Sequence, residues 1–264
     1  MRNKSLMILA MMAGACTVKE DRTYCPAWCI VYSDGYVAEG CSGDLTCSVS
    51  SDMRGSLDFG TKSFSSFTER GNLVFEVPRN ENVFLDLFCG VNTMSLSESA
   101  LRIPMGCGCD GIYSGHGSVL IPGESGEAGL PLHKDFAALR MTLDVNMPER
   151  CELYLRILGN VDGYALPGGL PHKGEFDYRP PGDGKLFHAR VPRQYDDSLV
   201  LEICRQDDDS TVVQYALGQA MSILGYDWNL PDLEDLDIVI TLNELDFDIG
   251  ITPWEESGTI NIIL

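Results

Sequence analysis

Apolar and polar positions alternate with a period of two along much of this chain, the signature of half-buried β-strands. Trp28 to Tyr32 is a short apolar run closed by the turn signal Ser33-Asp34-Gly35. Leu73, Phe75 and Val77 share one face before Pro78 stops the run, and Val83, Leu85 and Leu87 alternate with Phe84, Asp86 and Phe88. Leu139, Met141, Leu143 and Val145 form one of the cleanest alternations. Leu153 to Leu158, Phe187 to Val191 and Leu199 to Ile203 repeat it between turns such as Pro167-Gly168-Gly169 and Pro180-Pro181-Gly182. Leu236 to Leu242 and Leu245 to Ile251 alternate on either side of Asn243-Glu244, which predicts an antiparallel hairpin. One stretch has helical spacing: Leu217, Ala220, Met221 and Leu224 within Tyr215 to Leu224, with Gly225 placed as a C-terminal cap.

Between these runs, Gly40 to Ser66 is rich in Ser, Gly and Asp with weak periodicity, which predicts short strands and loops. Leu101 to Ile121 carries five glycines, with Gly115-His116-Gly117-Ser118 reading as a Gly-rich turn and an apolar close at Val119 to Ile121. Pro122 to Gly129 combines Gly, Pro and charge without an apolar repeat, as a linker does. Short strands, frequent turns and a single helix predict an all-β chain of antiparallel sandwiches. The expected division is residues 16–129 and 130–264, with the helix in the second unit.

The segment before residue 16 has a different character. Arg2 and Lys4 precede an apolar run, Leu6 to Met12, followed by the small residues Ala13, Gly14 and Ala15. This is a cleavable export signal, since a membrane-spanning helix needs roughly 20 apolar residues. Cys16 directly after the small residues predicts a lipoprotein: cleavage between Ala15 and Cys16, with diacylglycerol and palmitate on the cysteine. Two or more acyl chains anchor a protein stably where one does not.

Charge narrows the function classes. Against 19 Lys and Arg stand 39 Asp and Glu, a net charge of −20 that becomes −22 once Arg2 and Lys4 are cleaved away. Such a surface repels nucleic acid. Nine cysteines remain after Cys16, and in an exported chain they predict disulfides, with one left over. Zinc at Cys25, Cys29, Cys41 and Cys47, or at Cys107 and Cys109, fits less well because five residues separate Cys41 from Cys47.

Catalytic chemistry finds little footing. Gly115-His116-Gly117-Ser118 places His near Ser but lacks a nucleophile elbow, and His133, His172 and His188 are scattered without paired metal spacing. The acidic clusters at Asp207 to Asp209 and at Asp232, Glu234, Asp235 and Asp237 lack the EF-hand register. No enzyme activity, cofactor or metal is expected.

Five stretches, in order, resemble one family. They are Cys16 with Val18-Lys19-Glu20-Asp21-Arg22 and Cys25-Pro26; Ile103-Pro104-Met105-Gly106 with Asp110 and Tyr113; Leu132-His133-Lys134 before Phe136; Pro192-Arg193-Gln194 with Ser198-Leu199; and Leu217-Gly218 through Gly225-Tyr226-Asp227-Trp228 to Asp232-Leu233, Asp235 and Asp237. Together they are similar to the fimbrial anchor lipoproteins of Bacteroidetes, accessory subunits of type V pili. The extra cysteines and Asn243-Glu244-Leu245 depart from the family pattern. The resemblance implies two transthyretin-like antiparallel β-sandwich domains, no catalysis, pilin subunits as partners, and a cell-surface position on the outer membrane through covalent lipid. Lys19, Glu20 and Asp21 resemble the family's surface-sorting signal, and a solvated tether is the other reading of the same charges. Binding is expected by strand addition. An anchor must keep its first strand, Trp28 to Tyr32, because cutting it away would free the body from the membrane. The apolar tail with Thr259, Ile260 and Ile262 would complete its own sheet or be lent to the adjacent pilin. The alternative function is a surface glycan-binding or adhesive lipoprotein, whose aromatic platforms would have to come from Trp28, Trp228 and Trp254.

Overall fold

A computed structural model describes residues 25–33, 37, 40–41, 44–63, 72–146, 152–243, 247–254 and 261–263. In the first half the strands are β1 (Ala27–Tyr32), β2 (Asp44–Ser51), β3 (Gly55–Ser63), β4 (Leu73–Val77), β5 (Asn82–Cys89), β6 (Ser95–Leu96), β7 (Ala100–Arg102), β8 (Tyr113–Leu120) and β9 (Ser125–Gly129). Next come β10 (His133–Lys134), β11 (Phe136–Asn146), β12 (Leu153–Ala165), β13 (Leu170–Tyr178), β14 (Leu186–Pro192), β15 (Val200–Arg205) and β16 (Thr211–Tyr215). A helix, α1 (Leu217–Ile223), leads to β17 (Leu236–Asn243), β18 (Phe247–Pro253) and β19 (Asn261–Ile263). Among the described residues the chain is all-β with one short helix, in its second half, as its periodicity predicts.

Four sheets result. The order β4-β1-β9 faces β10-β8-β5-β2-β3, and β14-β11-β17-β18-β19 faces β16-β15-β12-β7-β6, with β13 also paired to β12. Alternation explains the first sandwich: Cys29 and Val31 of β1, Phe75 of β4, and Leu45, Val49, Leu85 and Leu87 opposite them are all buried. In the second, Leu139, Met141, Ile238 and Ile240 meet Leu155, Ile157, Leu201 and Ile203. The buried apolar side chains form one connected cluster across both halves. The helix buries Leu217, Ala220 and Met221 against the second sandwich.

Several departures from the sequence expectations have clear causes. Gly40 to Ser66, expected to hold short strands and loops, contains the longer strands β2 and β3, and in β2 Leu45, Cys47 and Val49 supply the buried positions. The supposed linker Pro122 to Gly129 is mostly β9, which pairs in parallel with β1 from Trp28↔Ser125 to Tyr32↔Gly129. Main-chain pairing at a sheet edge needs no apolar side chain, so composition gave no sign of it. A second parallel pair joins β11 to β17. β6 and β7 precede residue 130 yet pair within the sheet of β12, so the chain enters the second half's sheet before the division expected at 129/130.

The cysteines also depart from expectation. Cys41 and Cys89 form a disulfide across 48 residues, which on the chain-entropy model contributes about 4 kcal/mol. Cys29, Cys47, Cys109 and Cys204 remain thiols inside the protein. Burial holds the Cys29 thiol at about 11 and pushes Cys47 to about 12, so neither supplies the thiolate that disulfide exchange needs. They act as small apolar side chains.

Candidate functional site

The strand after the expected tether sits in the middle of its sheet. β1 pairs antiparallel with β4 from Ala27↔Val77 to Val31↔Leu73, and parallel with β9 on its other side. Trp28 N–H donates to the Glu124 carbonyl (3.0 Å) and Leu130 N–H to the Tyr32 carbonyl (2.8 Å), fixing both ends. Ala27, Cys29 and Val31 have no exposure, while Trp28, Ile30 and Tyr32 point the other way. Such a strand is a plug. Without it, two unpaired edges and an apolar floor would be left bare, the geometry that accepts an added strand. Trp28 is 48% exposed, whereas Trp228 is buried and stands edge-on to Tyr226 at 4.7 Å.

Three of the five family-like stretches, those around His133-Lys134, Arg193 and Trp228 to Asp237, converge on one junction where the two halves meet. His133 Nδ1 lies 3.0 Å from Asp232 Oδ2, the Lys134 N–H donates to Asp232 Oδ1 (2.7 Å), and the Lys134 ammonium donates to Asp235 and to the Leu233 carbonyl. Asp235 also accepts the Ala138 N–H (2.7 Å), and Arg140 pairs with Asp237. Arg193 donates to Asp135 and to the carbonyls of Trp228, Leu230 (2.8 Å) and Pro231 (3.0 Å). Asp135, almost fully buried, also accepts the Ser114 hydroxyl (2.7 Å), and its carbonyl accepts the Tyr164 phenol. Sequence reasoning grouped most of these residues but not Asp135, Ser114 or Tyr164, which are isolated polar residues with no local pattern.

Asp110 closes a second turn within another of those stretches. Its carboxylate accepts the N–H groups of Asn92, Thr93 and Met94 (2.7 to 2.9 Å) and the Thr93 hydroxyl. Burial works to raise its pKa, but the bonds from Met94, Asn92 and Thr93 outweigh it and hold the group below the usual carboxylate value. Stability from Asp110 is therefore present above about pH 4 and is lost as pH falls through the lower folded-state pKa. Asp110→Asn should cost about 1.5–3 kcal/mol at neutral pH and flatten the acid limb of the stability curve. Urea titrations between pH 2 and 7 would check it; a parallel acid limb in the variant would reject the assignment.

The other candidate residues are held in local contacts or lie exposed, as His188 does. His116 Nδ1 contacts the buried Asp86 (2.8 Å), Asp86 also accepts the Gly168 N–H (2.8 Å), and Ser118 is exposed. Ser114 lines a cleft with His116 and Arg193, but its hydroxyl is committed to Asp135. His172 contacts Asp162, which also binds Arg102. Asp208 accepts the Ser210 N–H and hydroxyl, and Asp209 the Tyr154 phenol. Among the described residues no three His, Cys, Asp or Glu side chains gather as a metal site. With Cys41 in its disulfide, the four-cysteine zinc arrangement does not form.

Ala15, Cys16, Lys19, Glu20, Asp21, Thr259 and Ile260 lie outside the described residues. Ile262 lies within β19, opposite Ile249 in the chain's own sheet. Among the described residues no helix is long and apolar enough to cross a membrane.

No protein-family model and no curated protein sequence matches the chain. Solved structures do. The fimbrial anchor protein Mfa2 from Porphyromonas gingivalis matches with a TM-score of 0.66 at 11% identity, covering 87% of this chain and 98% of that one. A candidate polysaccharide-binding protein from Bacteroides thetaiotaomicron matches at 0.65 and 11%, covering 89% and 98%. A candidate adhesin from the same organism matches at 0.61 and 13%, covering 90% and 97%. At these identities the likeness establishes a shared fold over nearly the whole chain, that of β-sandwich fimbrial and adhesin proteins.

Proposed function

We propose that this chain is the membrane-proximal anchor subunit of a type V fimbria, a non-catalytic lipoprotein held in the outer membrane through lipid on Cys16 and joined to the adjacent pilin by strand addition. One observation carries the reading: β1, the first strand after the tether, is fully paired on both sides and its inner residues are fully buried. A subunit whose groove is permanently filled by its own tethered strand can end a polymer but cannot be extended on that side. The fold shared with a fimbrial anchor protein supports the same assignment. In this reading residues 1–15 are removed, Lys19, Glu20 and Asp21 direct the lipoprotein outward, and the two sandwich units divide near residue 130, with β6 and β7 crossing into the sheet of the second. The pairing of β19 with β18 favours a tail, with Thr259, Ile260 and Ile262, that completes its own sheet.

The test is Cys16→Ala in the native host. Most fimbrial material should move from the cell pellet to the medium, with pilin synthesis unchanged. Fimbriae that stay on cells carrying the unlipidated chain would reject the anchor role.

A further inference from the structure

We propose that the outward face of the β4-β1-β9 sheet rests on the bilayer that holds the lipid, which depends on the lipidated start at Cys16 given above. Trp28, Ile30 and Tyr32 alternate outward from β1, and Val74 lies opposite Ile30. Trp28 is 48%, Tyr32 36% and Val74 53% exposed, so one apolar stripe runs along the strand that the tether enters.

The length of the tether identifies the occupant. Ala27 is eleven residues beyond Cys16, a span of at most about 40 Å when fully extended. The membrane surface is thus within constant reach of this face. Trp and Tyr are the side chains that favour the interface between lipid and water, where ring and polar edge are both accommodated. A stripe this small would bind weakly from solution. Held by covalent lipid, it meets the bilayer at high effective concentration and the encounter cost is already met.

Charge decides the mode of contact. Glu76 pairs with Trp28 and Glu127 with Ile30 across the strands, and the whole chain is acidic. Electrostatic attraction to anionic headgroups is therefore excluded as the driving force, and the contact is aromatic insertion that persists at high salt.

The full lipidated protein, reconstituted in phosphatidylcholine vesicles with bromine on the upper acyl chain, tests this. The Trp28 emission, taken as wild type minus Trp28→Phe, should be quenched and blue-shifted, and that quenching should survive high salt. In the unmutated protein, quenching by aqueous iodide should fall in the same vesicles. Vesicle flotation reports lipid attachment independently. A protein that floats with Trp28 still open to iodide overturns the seating and leaves the anchor role standing. A protein that does not float overturns both. Trp28 emission that shifts only when purified fimbriae are added would give this face to the adjacent pilin instead, and overturn the membrane seat.

Discussion

Deleting residues 16–33 is expected to cost the protein most of its stability, far more than deleting residues 16–24. The second deletion stops short of β1. The first removes a strand paired on both sides and leaves Phe75, Val49 and Leu85 facing solvent or an empty groove. Burial of a Val-sized side chain is worth about 1.5–3 kcal/mol, and opposing residues lose contacts as well. The combined loss, on the order of 5 kcal/mol or more, is comparable with the whole stability of a typical domain. Urea unfolding of the two truncations would measure it. A synthetic peptide of residues 25–33 added in trans should restore part of the lost stability, since its main chain can re-form both ladders. Equal midpoints for the two truncations would sink the plug model, and with it the reason for keeping β1 attached to the lipid.

Much of the architecture was legible because alternation maps directly onto burial. Leu73 to Val77 and Leu236 to Leu242 were read to within a residue, since their apolar members point into a core and their polar members do not. The failures lie where pairing, not side-chain polarity, makes the strand. Ser125 to Gly129 has no apolar alternation, yet it pairs with β1 along its whole length and packs Ala128 against the core. Gly115-His116-Gly117 reads locally as a turn but lies within β8. A Cβ on Gly115 would come 2.5 Å from the Pro131 carbonyl, and one on Gly117 2.6 Å from Leu130, so glycine is there for close approach.

The site was legible to a lesser degree. Asp232, Asp235 and Asp237 were grouped by resemblance, but their partners His133, Lys134 and Arg140 lie nearly a hundred residues away, and no local pattern reports such pairing. Asp135 sits between an obvious charge, Lys134, and an obvious apolar residue, Phe136, and nothing in that context signals burial. The cysteines misled in the opposite direction. An export signal makes disulfides the default, yet Cys29 and Cys47 fall on the inward positions of β1 and β2, where a small apolar side chain is sufficient.

Arg193→Met should be the most damaging single substitution at the junction. The guanidinium satisfies Asp135 and three carbonyls of the segment from Trp228 to Pro231, and its side chain is only 17% exposed. Methionine fills similar volume but leaves the Asp135 carboxylate, 5% exposed, with the Ser114 hydroxyl as its remaining side-chain donor. Breaking a buried pair in this way costs about 3–5 kcal/mol, because one charge is stranded away from water. Adding Asp135→Asn removes that charge, so the double variant should recover part of the loss, and a thermodynamic cycle in urea would isolate the coupling. Trp228 offers a local readout, since its carbonyl is bound by Arg193 and its ring packs on Tyr226. Its emission should shift to the red in Arg193→Met as the segment loosens. Additive single and double variants, with Trp228 emission unchanged, would mean that the junction is held by apolar packing and that the family-like polar residues are surface decoration.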